Sequence, residues 1–204
     1  MKMSSNTMSR WGETYFLKRP SNKVIVAFLD QQKEAPFSYP EAGATRGTLP
    51  QGYIIDHYRI KLGQGEKTFR AAQSAISNWS MFQIPWLQLC WQSYPPQEGI
   101  TIAILIRCLN LWTLNAARVI YLIHERGAVE KCGFAYGTLP AHMERGEERF
   151  MVEWQRSDDS VWYDILAFSH PNRLMAYFAY PYVRFLQKRF GHDSLQAVCR
   201  AVNK

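Results

Sequence analysis

The sequence has no apolar run long enough to cross a bilayer as a helix. Its longest, Ile100–Ile106, has the length of a buried strand. Nor does it open on a leader: Met1–Ser9 is polar and no apolar segment follows, so a cytoplasmic protein is expected. Cysteine is scarce and scattered. Cys90, Cys108, Cys132 and Cys199 form no C-x-x-C pair and stand near no histidine at zinc-ligand spacing. Reduced thiols are expected, with no metal and no other cofactor. Acidic residues are the minority, 17 against 24 basic ones, for a net charge of +7. The excess sits at the two ends, since residues 1–25 hold five basic residues and one acid, and residues 170–204 hold six and one. The middle has no basic surplus, and the recognition motifs and basic–aromatic strands of nucleic-acid readers are missing, so nucleic acid is not an expected partner. The enzyme signatures carried by short motifs are missing too. Gly63-Gln64-Gly65 lacks the third glycine of a dinucleotide fingerprint and the Gly-Lys-Ser/Thr of a P-loop, and no G-x-S-x-G elbow occurs.

What the chain has in abundance is flat side chains. Aromatic residues make up 14% of its 204 residues and hydrophobic residues 47%. That length suits one large domain with a real core, and large rings favour an irregular interior. Residues 1–20 read as a loose arm and 21–204 as one domain. Ser21 is placed to cap a short helix with Val24, Phe28 and Leu29 on one face. The stretch Ala35–Gln51, rich in proline and glycine, should wrap the surface as an ordered loop. Tyr53–Leu62 reads as a strand, and Glu66–Trp79 as a helix with Phe69, Ala72, Ile76 and Trp79 at helical steps. From Gly99 the period becomes two. Strands are expected at Ile100–Cys108, Arg118–His124, Cys132–Thr138, Glu147–Gln155 and Val161–Phe168, and their short links imply an antiparallel meander.

Pro171 should then open a long C-terminal helix. Met175, Phe178, Tyr182, Leu186 and Phe190 form its apolar stripe, Arg184 and Lys188 face away, Pro181 kinks it and Gly191 ends or breaks it. The expected fold is α+β, with a curved antiparallel sheet of about six strands gripping that helix and a cavity between them.

Four stretches carry a likeness beyond this pattern: PFSYPEAGATRG (36–47), LPQGYIIDHYRIKLGQGE (49–66), GFAYGTLPAHMERGEERFMVEW (133–154) and SVWYDILAFSHP (160–171). They resemble the domain-of-unknown-function 1990 family from about Ser21 to the C-terminus. The resemblance implies kinship with START-like and polyketide-cyclase-like helix-grip proteins, which hold lipids, hormones or polyketides. It implies no activity and no catalytic residues.

Charges in apolar strand rows supply the candidate site. By alternation Glu148 shares the row of Phe150, Val152 and Trp154, and Asp164 that of Trp162, Leu166 and Phe168. Arg118 shares a row with Ile120 and Leu122, Arg107 with Ala103 and Leu105, and Asp56 with Ile54, Tyr58 and Ile60. Unpaired buried charges are too costly to keep, so these groups pair with one another, lie at strand ends, or meet a polar ligand group. Tyr136 and Thr138 share a face with Phe134 and could line a cavity mouth beside His142, Glu144 and Glu147. The candidate binding residues are Arg107, Arg118, Tyr136, Thr138, His142, Glu148, Trp154 and Asp164. The leading expectation is reversible binding of a small, largely apolar molecule. A cyclase- or dehydratase-like enzyme using Glu148, Asp164, Tyr136 or His142 is the first alternative. The second is a membrane-surface or protein-interaction module using Arg184, Phe185, Lys188 and Phe190.

Overall fold

The computed structural model describes residues 14–90, 94–108, 110–171 and 180–204. In chain order the elements are β1 (Tyr15–Phe16), α1 (Asn22–Gln32), β2 (Ile54–Gln64), α2 (Gly65–Ser77) and β3 (Leu87–Cys90). There follow β4 (Thr101–Cys108), β5 (Leu111–Glu125), β6 (Val129–Thr138), β7 (Glu144–Gln155), β8 (Ser160–Pro171) and α3 (Tyr180–Val202).

The expected meander is present, because strands joined by short links pair with their sequence neighbours. The sheet has eight strands in the order β2-β8-β7-β6-β5-β4-β3, with β1 pairing the start of β5. The two extra strands escaped the sequence reading for a plain reason: β1 has two residues and β3 four, too few to show a period. Of the expected arm, residues 1–13 lie outside the described residues, and Tyr15 and Phe16 sit opposite Thr113 and Trp112.

Alternation is interrupted where the sheet bends. β5 shifts register against β6 between Val119 and Tyr121, so one strand carries an extra residue and the rows beyond it exchange faces. Ala117, Val119 and Leu122 therefore belong to one core, while Ile120, Tyr121 and Ile123 belong to the other. A second shift lies in β2 between Lys61 and Gly63.

Both faces of the sheet are covered. On the concave face α2, the Ser80–Phe82 turn and α3 pack on a core that includes Phe69, Phe82, Phe134, Phe150 and Tyr163. On the convex face α1 packs on Ala103, Leu105, Leu114 and Ala116, and the segment 35–53 covers the neighbourhood of Tyr121. Ser21 caps α1 as expected, accepting the Val24 N–H. The buried face is Ile25, Phe28 and Gln32, however, and Val24 is exposed. α2 ends at Ser77, and Trp79 adopts a left-handed conformation (φ 53°) that turns the chain while keeping the indole buried.

The C-terminal region corrects the sequence reading in three places, at Pro171, which is the last residue of β8 and opens no helix, and at Gly191 and Arg184. Gly191 neither ends nor breaks α3, and the helix runs on to Val202. A Cβ at Gly191 would lie 2.5 Å from the Tyr58 ring, so glycine serves there to let helix and sheet touch. Arg184 does not face away, since it reaches the sheet at Asp56. Phe185 is exposed, while Phe190 packs against Phe82 and Phe150. Pro181 lies in the first described turn, and Met175 and Phe178 lie outside the described residues.

Candidate functional site

A cavity opens where α3 crosses the sheet. Its floor is Tyr136, Ile104 and Ala167 of the sheet, Phe82 stands at its side, and its roof is Val183, Leu186, Gln187 and Phe190, spaced at helical steps along one face of α3. The enclosed space is about 130 Å³. At about 30 Å³ per water in the liquid, that is room for roughly four waters or one small ring-bearing molecule.

Polar groups gather at one end. Tyr136 donates its hydroxyl proton to Glu148 Oε2 at 2.6 Å. The two residues face each other across the β6–β7 pair, Tyr136 opposite Glu148, which keeps both side chains on the concave face. Four residues earlier on β7, Glu144 accepts a hydrogen bond from Gln187 of α3, which also donates to Ser169 Oγ at 2.9 Å. Arg184 grips Asp56 with both terminal nitrogens, at 2.6 and 2.8 Å. His142 lines the cavity and accepts the Glu144 N–H at Nδ1 (3.0 Å), a role open only to an unprotonated ring nitrogen.

Burial dominates the chemistry of these acids. It lifts Glu148 to about 8; the Tyr136 hydrogen bond opposes the rise, and the charges of Glu144 and Asp56 add to it. Burial likewise lifts Glu144 to about 7, with Gln187 and Arg184 pulling down and Asp56 pushing up. Burial, then the neighbouring Glu148 carboxylate, drives the Tyr136 hydroxyl well above its ordinary range. Near neutrality Glu148 is therefore mostly an acid, and Glu144 is poised between its two forms.

Of the sequence candidates, Tyr136, Thr138, His142 and Glu148 come together here. The Thr138 hydroxyl is already engaged, since it accepts from Gly146 N at 2.9 Å and meets Ser38 Oγ at 2.7 Å. Four candidates lie elsewhere. Arg118 is on the convex face because the β5 bulge separates it from Leu122; it ties down the end of α1 through the carbonyls of Gln32, Lys33 and Ala35. Arg107 is exposed at the end of β4, over the Trp112 ring. Asp164 also faces the convex side, buried between Arg149 (2.9 Å) and His57 (2.6 Å), because the concave row of β8 is Val161, Tyr163 and Ile165. Trp154 is in the concave core, as its row predicts, but under α2, where it packs on Phe69 and donates to Asp159.

The sequence reading missed Arg184, Gln187 and Val183. Their signal was faint: Gln187 is one polar position beside an apolar stripe, and the stripe turns Arg184 to solvent with Lys188. Among the described residues no group of histidine, cysteine and carboxylate side chains could hold a metal ion, and no helix is long and apolar enough to cross a membrane.

A family model described as "Domain of unknown function (DUF1990)" matches residues 38–197. A UPF0548 protein of Dictyostelium discoideum is 30% identical over 207 residues, covering 92% of this chain and 95% of that protein. One from Deinococcus radiodurans is 31% identical over 198 residues, covering 92% and 98%. Among solved structures, a hypothetical protein of Helicobacter pylori aligns with a TM-score of 0.49 at 10% identity, over 81% of this chain and 95% of that one.

Proposed function

The chain belongs to the DUF1990 family, a domain of unknown function, and we propose that it binds a small, largely apolar molecule in the cavity between the sheet and α3. One observation carries the reading: an apolar enclosure whose few polar groups, Glu148, Tyr136 and Glu144, converge at one end. That is the general form of a small-molecule site. A burial-lifted acid facing open space is also hard to explain as structure, because a packed apolar residue would be more stable there.

An environment-sensitive hydrophobic dye tests the reading. It should bind the folded protein with one-to-one stoichiometry. Ala167→Phe adds a ring to the cavity floor and should abolish that binding while the protein still melts cooperatively. Dye binding that survives the filled cavity would place the site elsewhere and sink the proposal.

An acid–base enzyme on the same site is a second reading, favoured by Glu148 near 8 with Tyr136 at 2.6 Å. Mass spectrometry of the occupant after prolonged incubation separates the two, since a binder returns its ligand unchanged.

A further inference from the structure

The charges inside this cavity do not balance. Among the described residues its lining includes no arginine and no lysine, and the arginine beside it, Arg184, is spent on Asp56 through two hydrogen bonds. Glu147 directs its carboxylate to the other face, onto Tyr39, Gly43 and Thr45. Glu144 and Glu148 remain, each with one uncharged side-chain donor, Gln187 and Tyr136. Among the described residues no donor reaches Glu144 Oε2 or Glu148 Oε1, and neither oxygen is sealed off from open space. The other titratable groups facing the cavity among the described residues are Tyr58, Tyr136 and His142, and the His142 Nδ1 is engaged by the Glu144 N–H.

We propose that the cavity selects small apolar molecules that carry a protonated amine, seated between Glu144 and Glu148. The inference rests on the ligand-binding reading of the same cavity. An ammonium group offers donors and no acceptors, which is the complement of two carboxyls that each keep one oxygen without a donor. Its hydrogen bonds to carboxylate are charge-assisted and about twice as strong as neutral ones. With Glu144 near 7 and Glu148 near 8, the pair holds about one negative charge at pH 7.5, and a cation drives off the remaining proton. A carboxylate ligand meets that charge with no free cation among the described lining residues to receive it. An alcohol supplies one donor and no charge.

Benzylamine, benzyl alcohol and benzoate share one ring and differ in the head group. They can be titrated calorimetrically at pH 7.5 in two buffers of different ionisation heat. Benzylamine should bind at least about tenfold more tightly than benzyl alcohol, the ratio expected between charged and neutral hydrogen bonds, and benzoate most weakly. Its binding should release protons. Glu144→Gln and Glu148→Gln should each bring benzylamine towards the alcohol's affinity and weaken the alcohol much less. Benzyl alcohol or benzoate binding as tightly as benzylamine would overturn the amine proposal and leave the ligand-binding reading intact. So would a dye that fills the cavity and is displaced by none of the three probes. If neither the dye nor any probe binds, both proposals fall.

Discussion

Glu147 and Glu148 are neighbours on β7, and alternation sends them to opposite faces of the sheet with opposite outcomes. Glu147, 2% exposed, accepts from the Tyr39 hydroxyl at 2.9 Å, from the backbone N–H groups of Gly43 and Thr45, and from the Thr45 hydroxyl. Every donor belongs to the segment 35–53, so this carboxylate fastens that segment to the convex face. Glu148 has one donor, Tyr136, and open space beside it. The difference teaches how to tell a structural acid from an available one: the first is saturated with fixed donors, the second is raised by burial and left short of them.

The largest expected effect lies on the convex side. Glu147→Gln should leave donors of the 35–53 segment unpaired and destabilise the fold by about 3 kcal/mol or more, read as a drop in melting temperature of roughly 6–12 °C. A loss under about 1 kcal/mol would erase the contrast between the two glutamates. Next comes Asp56→Asn, which strips the partner from a half-buried Arg184 and should cost about 2–4 kcal/mol. Adding Arg184→Leu should recover part of that loss, showing that a cavity carboxylate can still be structural when it is paired.

Glu148→Gln should change stability less, and in a manner set by pH. The native carboxyl titrates near 8, far above an ordinary glutamate near 4.3 in the unfolded chain. Between those values the native state holds the extra proton, so stability falls as pH rises and the penalty is complete only above about 8. Below about pH 4 the variant should therefore melt with the wild type. At pH 8–9 it should be more stable by on the order of 1–3 kcal/mol. A variant that is less stable at pH 9 would class Glu148 with Glu147. The smallest effect belongs to Tyr136→Phe, about 1 kcal/mol. Because the Tyr136 hydrogen bond opposes the rise, its removal should move the Glu148 titration further upward, followed by carbon-detected NMR of the side-chain carboxyl.

The rows that stayed regular were legible in the sequence. β6 and β7 alternate without interruption through Phe134–Tyr136 and Glu148–Trp154, and there the reading placed Tyr136 and Glu148 on the cavity side, as found. It misplaced Arg118 because a one-residue bulge leaves no mark on a hydrophobic pattern, yet inverts every row beyond it. Asp164 was misplaced for a different reason. β8 is buried on both faces, with Tyr163 and Ile165 on one side and Asp164 fully paired on the other, so its apolar pattern names no inner face. Trp154 was assigned to the right face but the wrong end, since period two says nothing about which helix lies above. The cation at the polar end, Arg184, depended on a contact between residues 128 positions apart in the chain, which no local pattern encodes.

The bare contact of Gly191 with Tyr58 divides α3 into two mechanical parts. Beyond it Leu195, Ala197 and Val198 are buried in the concave core, which clamps that end as a wall clamps a beam. Before it Val183, Leu186 and Phe190 line the cavity, with Phe190 resting on Phe82 and Phe150 and with Arg184 on Asp56 and Gln187 on Glu144 tying the helix to the sheet. A beam clamped at one end and lashed down by a few polar ties can lift its span without loosening its root. The volume enclosed under α3 is then set in part by those ties, and a ligand of the proposed kind that replaced them would choose the height of its own roof.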